Sequence, residues 1–195
     1  MKTAIVWFKT DLRLIDNETL VKAIAQNDAV IPVYCFDESH FETTGFGFKK
    51  TGSFRTQFLL ESLIDLDKSL RELGSGLLIL KGKPEIEIPK VVKQFKVQRV
   101  YAKREVAYEE KQTEALVQAE LWKHHCELLT FSTSTLYHAE DLPFSIKDIP
   151  EVFTNFRKKT EKDAIIRKSF DQPMVVNSPE IAPLNLPTIE ALGLH

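Results

Sequence analysis

Thr3-Ala4-Ile5-Val6-Trp7-Phe8 runs directly into Lys9-Thr10-Asp11-Leu12-Arg13-Leu14-Ile15-Asp16, and Asn17 follows. The change of pattern between the two stretches decides the fold. Six residues without polar alternation read as a strand covered on both faces, as in parallel sheets. The polar run is then a turn, and Asn17 is a suitable N-cap for a helix reaching about Gln26, with Leu20, Val21 and Ile24 on its apolar face.

The same unit repeats outward from that start. Ala29 to Phe36 is a second apolar run. A glycine-containing loop from Ser39 to Thr51 leads into a helix over about Ser53 to Leu73. Phe54, Phe58, Leu59, Leu63, Leu66 and Leu70 hold its 3.6-residue period, and Gly74 ends it. Leu77 to Leu80 is a third strand, and Pro84 suits the first turn of a helix over roughly Glu85 to Phe95. Arg99 to Ala102, a charged helix from about Ala107 to His125, and Glu127 to Phe131 complete the series. The order βαβαβαβαβ predicts an α/β, Rossmann-like three-layer domain over residues 1–131, with five parallel strands and helices on both faces.

Beyond Ser132 the pattern changes. Six of the nine prolines, at 143, 150, 173, 179, 183 and 187, fall in the last third, which favours an extended connector over residues 132–195. It holds one helix-capable stretch, about Val152 to Lys168. No internal repeat or low-complexity segment is visible.

Composition narrows the function. The 195 residues suffice for one domain burying roughly 70% of its unfolded surface. A net charge of -2 argues against the whole chain being an electrostatic nucleic-acid binder. Cys35 and Cys126 are the only cysteines and have no framework spacing, so a reducing compartment is expected. The opening apolar run is too short for a signal peptide, and no stretch approaches a membrane span. A cytoplasmic location without membrane attachment is the expectation.

In an open parallel sheet, ligands sit beyond the carboxyl ends of the strands, where strand order reverses. The segments expected there are Lys9 to Arg13, Asp37-Glu38-Ser39 and Lys103-Arg104-Glu105. No G-x-G-x-x-G follows the first strand and no P-loop occurs, which disfavours a dinucleotide or triphosphate cradle. Gly45-Phe46-Gly47 reads as a turn. Arg13 and Asp16 suit an ion pair bracing the turn as well as a ligand contact. His124-His125-Cys126 puts three potential metal ligands in a row, but consecutive helical residues point apart, so no metal site is expected. The basic stretch Arg157-Lys158-Lys159 is interleaved with Glu161 and Asp163 and reads as a solvated helix face.

Trp7-Phe8-Lys9-Thr10-Asp11-Leu12-Arg13, followed by Asp16-Asn17 and Leu20, resembles the opening signature of the photolyase/cryptochrome family. Lys9 departs from the usual arginine, keeping the charge and losing the planar fork. Pro32 to Asp37 resembles the family's second strand, and Lys50-Thr51-Gly52-Ser53-Phe54-Arg55 its long helix. Thr135 to Phe144 and Ile149 to Lys158 resemble the DASH branch. The resemblance spans essentially the whole chain.

What the resemblance implies is an antenna domain. Members carry a light-harvesting chromophore, usually methenyltetrahydrofolate and in some a flavin or deazaflavin, and a catalytic FAD in a separate helical domain. Excitation passes to reduced FAD, which donates an electron to a cyclobutane pyrimidine dimer in DNA. DASH members favour single-stranded DNA. The FAD-binding helices and the lesion pocket would then lie in a domain beyond this chain, and no catalytic residue is expected within it. Glu109 matches a glutamate of folate-binding members, and its carboxylate suits the paired N–H donors of a pterin; it equally suits a helix N-terminus. Phe41 and Tyr108 are candidates to stack on the pterin, or to be ordinary packing. Asp11 and Asp37 complete the candidate cofactor contacts. Two other readings stay open: a nucleotide-binding module of the stress-protein or nucleotide-hydrolase type, and a ligand-free scaffold.

Overall fold

Alternate residues of the first strand face opposite sides of one sheet, and that alternation builds two cores. The computed structural model describes residues 2–194. Strands β1 (Thr3–Phe8), β2 (Ala29–Phe36), β3 (Leu78–Lys81), β4 (Arg99–Lys103) and β5 (Glu127–Phe131) form one sheet in the order β3-β2-β1-β4-β5. Every pairing is parallel, with Ile5 opposite Ile31 and Val100. The central strands β1 and β2 are buried at every residue, whereas the edge strands β3 and β5 are mostly half-buried. The longest apolar runs of the sequence belong to β1 and β2, which have neighbours on both sides.

Ala4, Val6 and Phe8 face helices α1 (Glu18–Gln26) and α2 (Ser53–Glu72), packing with Leu20, Leu63, Leu66 and Leu70. Ile5 and Trp7 face the opposite layer, α3 (Pro84–Phe95) and α4 (Tyr108–Trp122), with Ile88, Val91, Val117 and Leu121. Trp7 is core, as its place in a buried strand suggests. Asn17 caps α1: its side-chain oxygen accepts from the Leu20 N–H at 3.0 Å, and its amide donates to the Arg13 carbonyl at 2.9 Å. Arg13 braces the preceding turn through the Asp16 carbonyl at 3.0 Å, while Asp16 takes a positive φ of 51°.

Three details differ from the sequence pattern. Phe54 and Phe58 keep the helical period of α2 but are 93% and 72% exposed; Leu59 and Leu60 are partly buried against the core and Leu63 fully so. In those first turns Thr56 is the buried residue, its hydroxyl donating to the Gly52 carbonyl at 3.0 Å. Helix α4 stops at Trp122, because the chain reverses through His125 at φ 53° to send Cys126 N–H back to the Leu121 carbonyl. Helix α5 (Phe153–Asp163) ends before Lys168, at an extended Ala164.

The proline-rich tail is extended, and it is also docked. Val176 is fully buried, its N–H bonds to the Leu73 carbonyl at 2.8 Å, and the Val30 N–H bonds to the Asn177 carbonyl at 2.8 Å. Leu184, Leu186 and Ile189 pack partly buried against the α1–α2 core, and Leu194 is buried in it. Arg167 pairs with Asp141 and with Glu140, tying the tail to a short 3₁₀ turn at Ala139–Asp141.

Candidate functional site

The strand order reverses at β1, with β2 on one side and β4 on the other, so the loops leaving these strands diverge and open a crevice at the carboxyl edge. A cleft of about 420 Å³ occupies that place. Its floor is the end of β1 and β2, with Trp7, Phe8, Tyr34 and Cys35. Phe41, Phe58 and Leu59 form one wall, and the start of α4, from Glu109 to Thr113, forms the other. The cleft has the size and mainly apolar lining of a small-molecule site.

Its polar groups are held firmly. The Lys9 ammonium donates to the Lys103 carbonyl at 3.0 Å and to Glu114 at 3.2 Å, and it lies 4.4 Å from the centroid of the Trp7 ring. Lys103 donates to the Thr10 hydroxyl at 2.6 Å and pairs with Glu105 at 3.7 Å. These contacts tie the loop after β1 to the loop after β4. Asp37 caps the 3₁₀ turn Glu38–Phe41 by accepting the Ser39 N–H at 2.9 Å. Lys50 reaches across the mouth to both oxygens of Glu109, at 3.2 and 3.1 Å.

Burial pushes the Tyr34 phenol well above its ordinary range, helped by the neighbouring Cys35. Cys35 is raised too, by burial first and by Asp37 next. Both groups therefore present neutral, protonated surfaces to the cleft at physiological pH. Cys126, buried in the α3–α4 core, is pushed up to about 12 by burial. Among the described residues no group of three or more His, Cys, Asp or Glu is gathered to hold a metal ion. None of their helices is long and apolar enough to cross a membrane.

Three of the five residues picked from the sequence meet in the cleft: Phe41, Asp37 and Glu109. The other two do not line it. Asp11 is buried, but one carboxylate oxygen accepts the Lys9 N–H at 3.0 Å and shapes the loop. Tyr108, 77% exposed, turns to solvent at the start of α4, since consecutive helical residues point in different directions. Sequence reasoning missed Lys50, Thr51 and Arg55 as cleft residues. A signal was available: the loop after β2 must cross the carboxyl edge before α2 begins.

A parallel sheet of this order, with an aromatic cleft at its switch point and no glycine phosphate loop, defines a Rossmann-like α/β domain. The DNA photolyase family model matches residues 4–176, and the chain belongs to that family. It corresponds to the N-terminal α/β domain of DASH-type cryptochromes. Cryptochrome DASH of Gloeobacter violaceus is 43% identical over 195 residues, covering 100% of this chain and 39% of its own length. The chloroplastic/mitochondrial cryptochrome DASH of Arabidopsis thaliana is 42% identical over 196 residues, covering 98% and 34%. Among solved structures, a Synechocystis cryptochrome superposes with a TM-score of 0.92 at 41% identity, over 98% of this chain and 40% of that one. An archaeal photolyase from Sulfolobus tokodaii, described with two FAD molecules and an implied novel light-harvesting cofactor, matches at a TM-score of 0.72 and 25% identity, over 91% and 38%. The chain spans about two fifths of the length of the first of these relatives.

Proposed function

We propose that this domain is the light-harvesting module of a DASH-type photolyase or cryptochrome, and that the cleft at the carboxyl edge of β1 and β2 holds the antenna chromophore. The observation that carries this is the lining. Phe41, Phe58 and Leu59 offer apolar surface to a flat ring system, Asp37 and Glu109 offer acceptors, and Lys50 and Arg55 offer cations at the mouth. The family's methenyltetrahydrofolate fits that donor set, because Glu109 can accept the ring N–H and the exocyclic amine together. Lys50 now engages this carboxylate, so a pterin would have to share or displace it. A flavin fits as well: its ring would take the apolar wall and its phosphate the cations. The archaeal photolyase with two FAD molecules supports the flavin choice.

In the whole protein, excitation would pass from this module to FAD in a helical domain, and the reduced flavin would split cyclobutane pyrimidine dimers, preferentially in single-stranded DNA. The exposed Phe54 and Phe58 in the first turns of α2 suit contact with such a helical domain. Two buried free thiols suit a reducing compartment such as the cytoplasm. The test is reconstitution. The chain is mixed separately with methenyltetrahydrofolate and with FMN, passed through gel filtration, and its near-ultraviolet and blue absorbance recorded. Retention of one chromophore is expected. Retention of neither, with micromolar binding of ATP or AMP by calorimetry, would move the cleft to the nucleotide-binding class.

A further inference from the structure

An antenna works only if its excited state outlives every competing decay, and the most damaging neighbour is an electron-rich side chain. Indole, phenolate and thiolate all surrender an electron to an excited flavin or pterin in van der Waals reach. The electron then returns, both partners regain their ground states, and the photon is lost as heat. No proton moves and no net oxidation results. The cleft floor carries one side chain of each kind, Trp7, Tyr34 and Cys35.

We propose that Lys9 is a positioning residue that insulates the antenna site, its ammonium holding the Trp7 indole in a state too hard to oxidise to quench a chromophore excited in the cleft. This rests on the chromophore reading above. The geometry carries it. The ammonium stands 4.4 Å from the centroid of the indole ring. Such a cation is attracted by the neutral ring and repels the positive charge that electron loss would leave there. Trp7 is only 5% exposed, so water does little to screen that repulsion. Lys9 is anchored to the Lys103 carbonyl and to Glu114. Glu114 offsets part of the field, yet Lys9 is the group in contact with the ring. The rest of the floor obeys the same logic: burial keeps Tyr34 and Cys35 protonated, and a phenol or thiol is a much poorer donor than its anion.

The test places an excited flavin in the cleft without relying on natural affinity. Ser62 lines the cleft, and Ser62→Cys gives a thiol for an iodoacetyl-flavin. Cys35 and Cys126 are buried and protonated, and the parent chain should take no label. The readout is the flavin fluorescence lifetime. Lys9→Met should shorten it by roughly three-fold or more, Lys9→Arg should preserve it, and Trp7→Phe added to Lys9→Met should restore it. Trp7→Phe alone should leave the lifetime unchanged, since an insulated indole does not quench. That variant keeps the idea open to refutation even where Lys9→Met does not fold. A lifetime that lengthens strongly in Trp7→Phe alone, or that Lys9→Met leaves untouched, overturns the proposal. Retention of free FMN by the parent chain is scored separately: its failure removes the chromophore reading and leaves the Lys9 result standing.

Discussion

At the scale of the residue, the Lys50–Glu109 pair is where stability and binding part company. The Glu109 side chain is 69% exposed and that of Lys50 30%. An ion pair so open contributes little, within about 1 kcal/mol, so Glu109→Gln and Lys50→Met should both melt close to the parent. Their effects on ligand should be opposite. Glu109→Gln leaves an amide that cannot accept two N–H groups with full charge, and folate retention should fall by about ten-fold or more, the worth of one charge-assisted bond. Lys50→Met frees the carboxylate, and folate retention should hold or rise. FMN, which needs no such acceptor, should be indifferent to Glu109→Gln but weakened by Lys50→Met. Parallel dialysis of both ligands against the three proteins decides it. Equal loss of both ligands in Glu109→Gln would mean the carboxylate shapes the mouth of the cleft without recognising a pterin.

At the scale of the element, helices α1 and α2 show how local signals can be right about existence and wrong about exposure. Asn17 satisfies the Leu20 N–H at the start of α1 and stitches that helix to the loop after β1. Asn17→Ala should cost about 0.5–2 kcal/mol in urea unfolding, and a value near zero would mean the turn holds without its cap. In α2 the period from Phe54 to Leu70 is unbroken in sequence, but Phe54 and Phe58 stay exposed while Leu63, Leu66 and Leu70 are buried in the core. Leu63→Ala should therefore cost roughly 2–5 kcal/mol. Phe54→Ala should change stability by no more than about 0.5 kcal/mol. A large loss in Phe54→Ala would show the first turn packing inward. Periodicity reports which residues share a helix face. Whether that face meets a strand, a cleft or solvent is set by the tertiary fold.

At the scale of the whole molecule, the same distinction separates what could be read in advance from what could not. All five strands and all five helices were legible, because the strands are short apolar runs and the helices a local 3.6-residue pattern, and parallel order followed from strands apolar on both faces. Asp37 was legible as a cleft residue because strand ends in a parallel sheet must converge on one edge, whereas Glu109 was legible only through the family resemblance. Lys50 and Arg55 were not, since their place depends on the path of a long loop. The tail was legible as extended but not as core: of the run Met174-Val175-Val176 only Val176 is buried, and only tertiary contact reveals which one. That makes the tail the sharpest test of what this domain needs in order to fold. Residues 172–195 bring Val176 and Leu194 into the core, and the Asn177 carbonyl accepts the Val30 N–H near the start of β2. Burying a side chain such as valine or leucine contributes about 1.5–3 kcal/mol, a large share of a typical net stability of about 5–15 kcal/mol. Deleting 172–195 should therefore expose the α1–α2 face, lower the unfolding midpoint in urea and raise binding of an apolar dye. Val176→Asp alone, which buries an unpaired charge at the same point, should reproduce most of that loss. A truncated chain that unfolds at the parent midpoint would show that residues up to 171 are self-sufficient and that the tail merely rests on them.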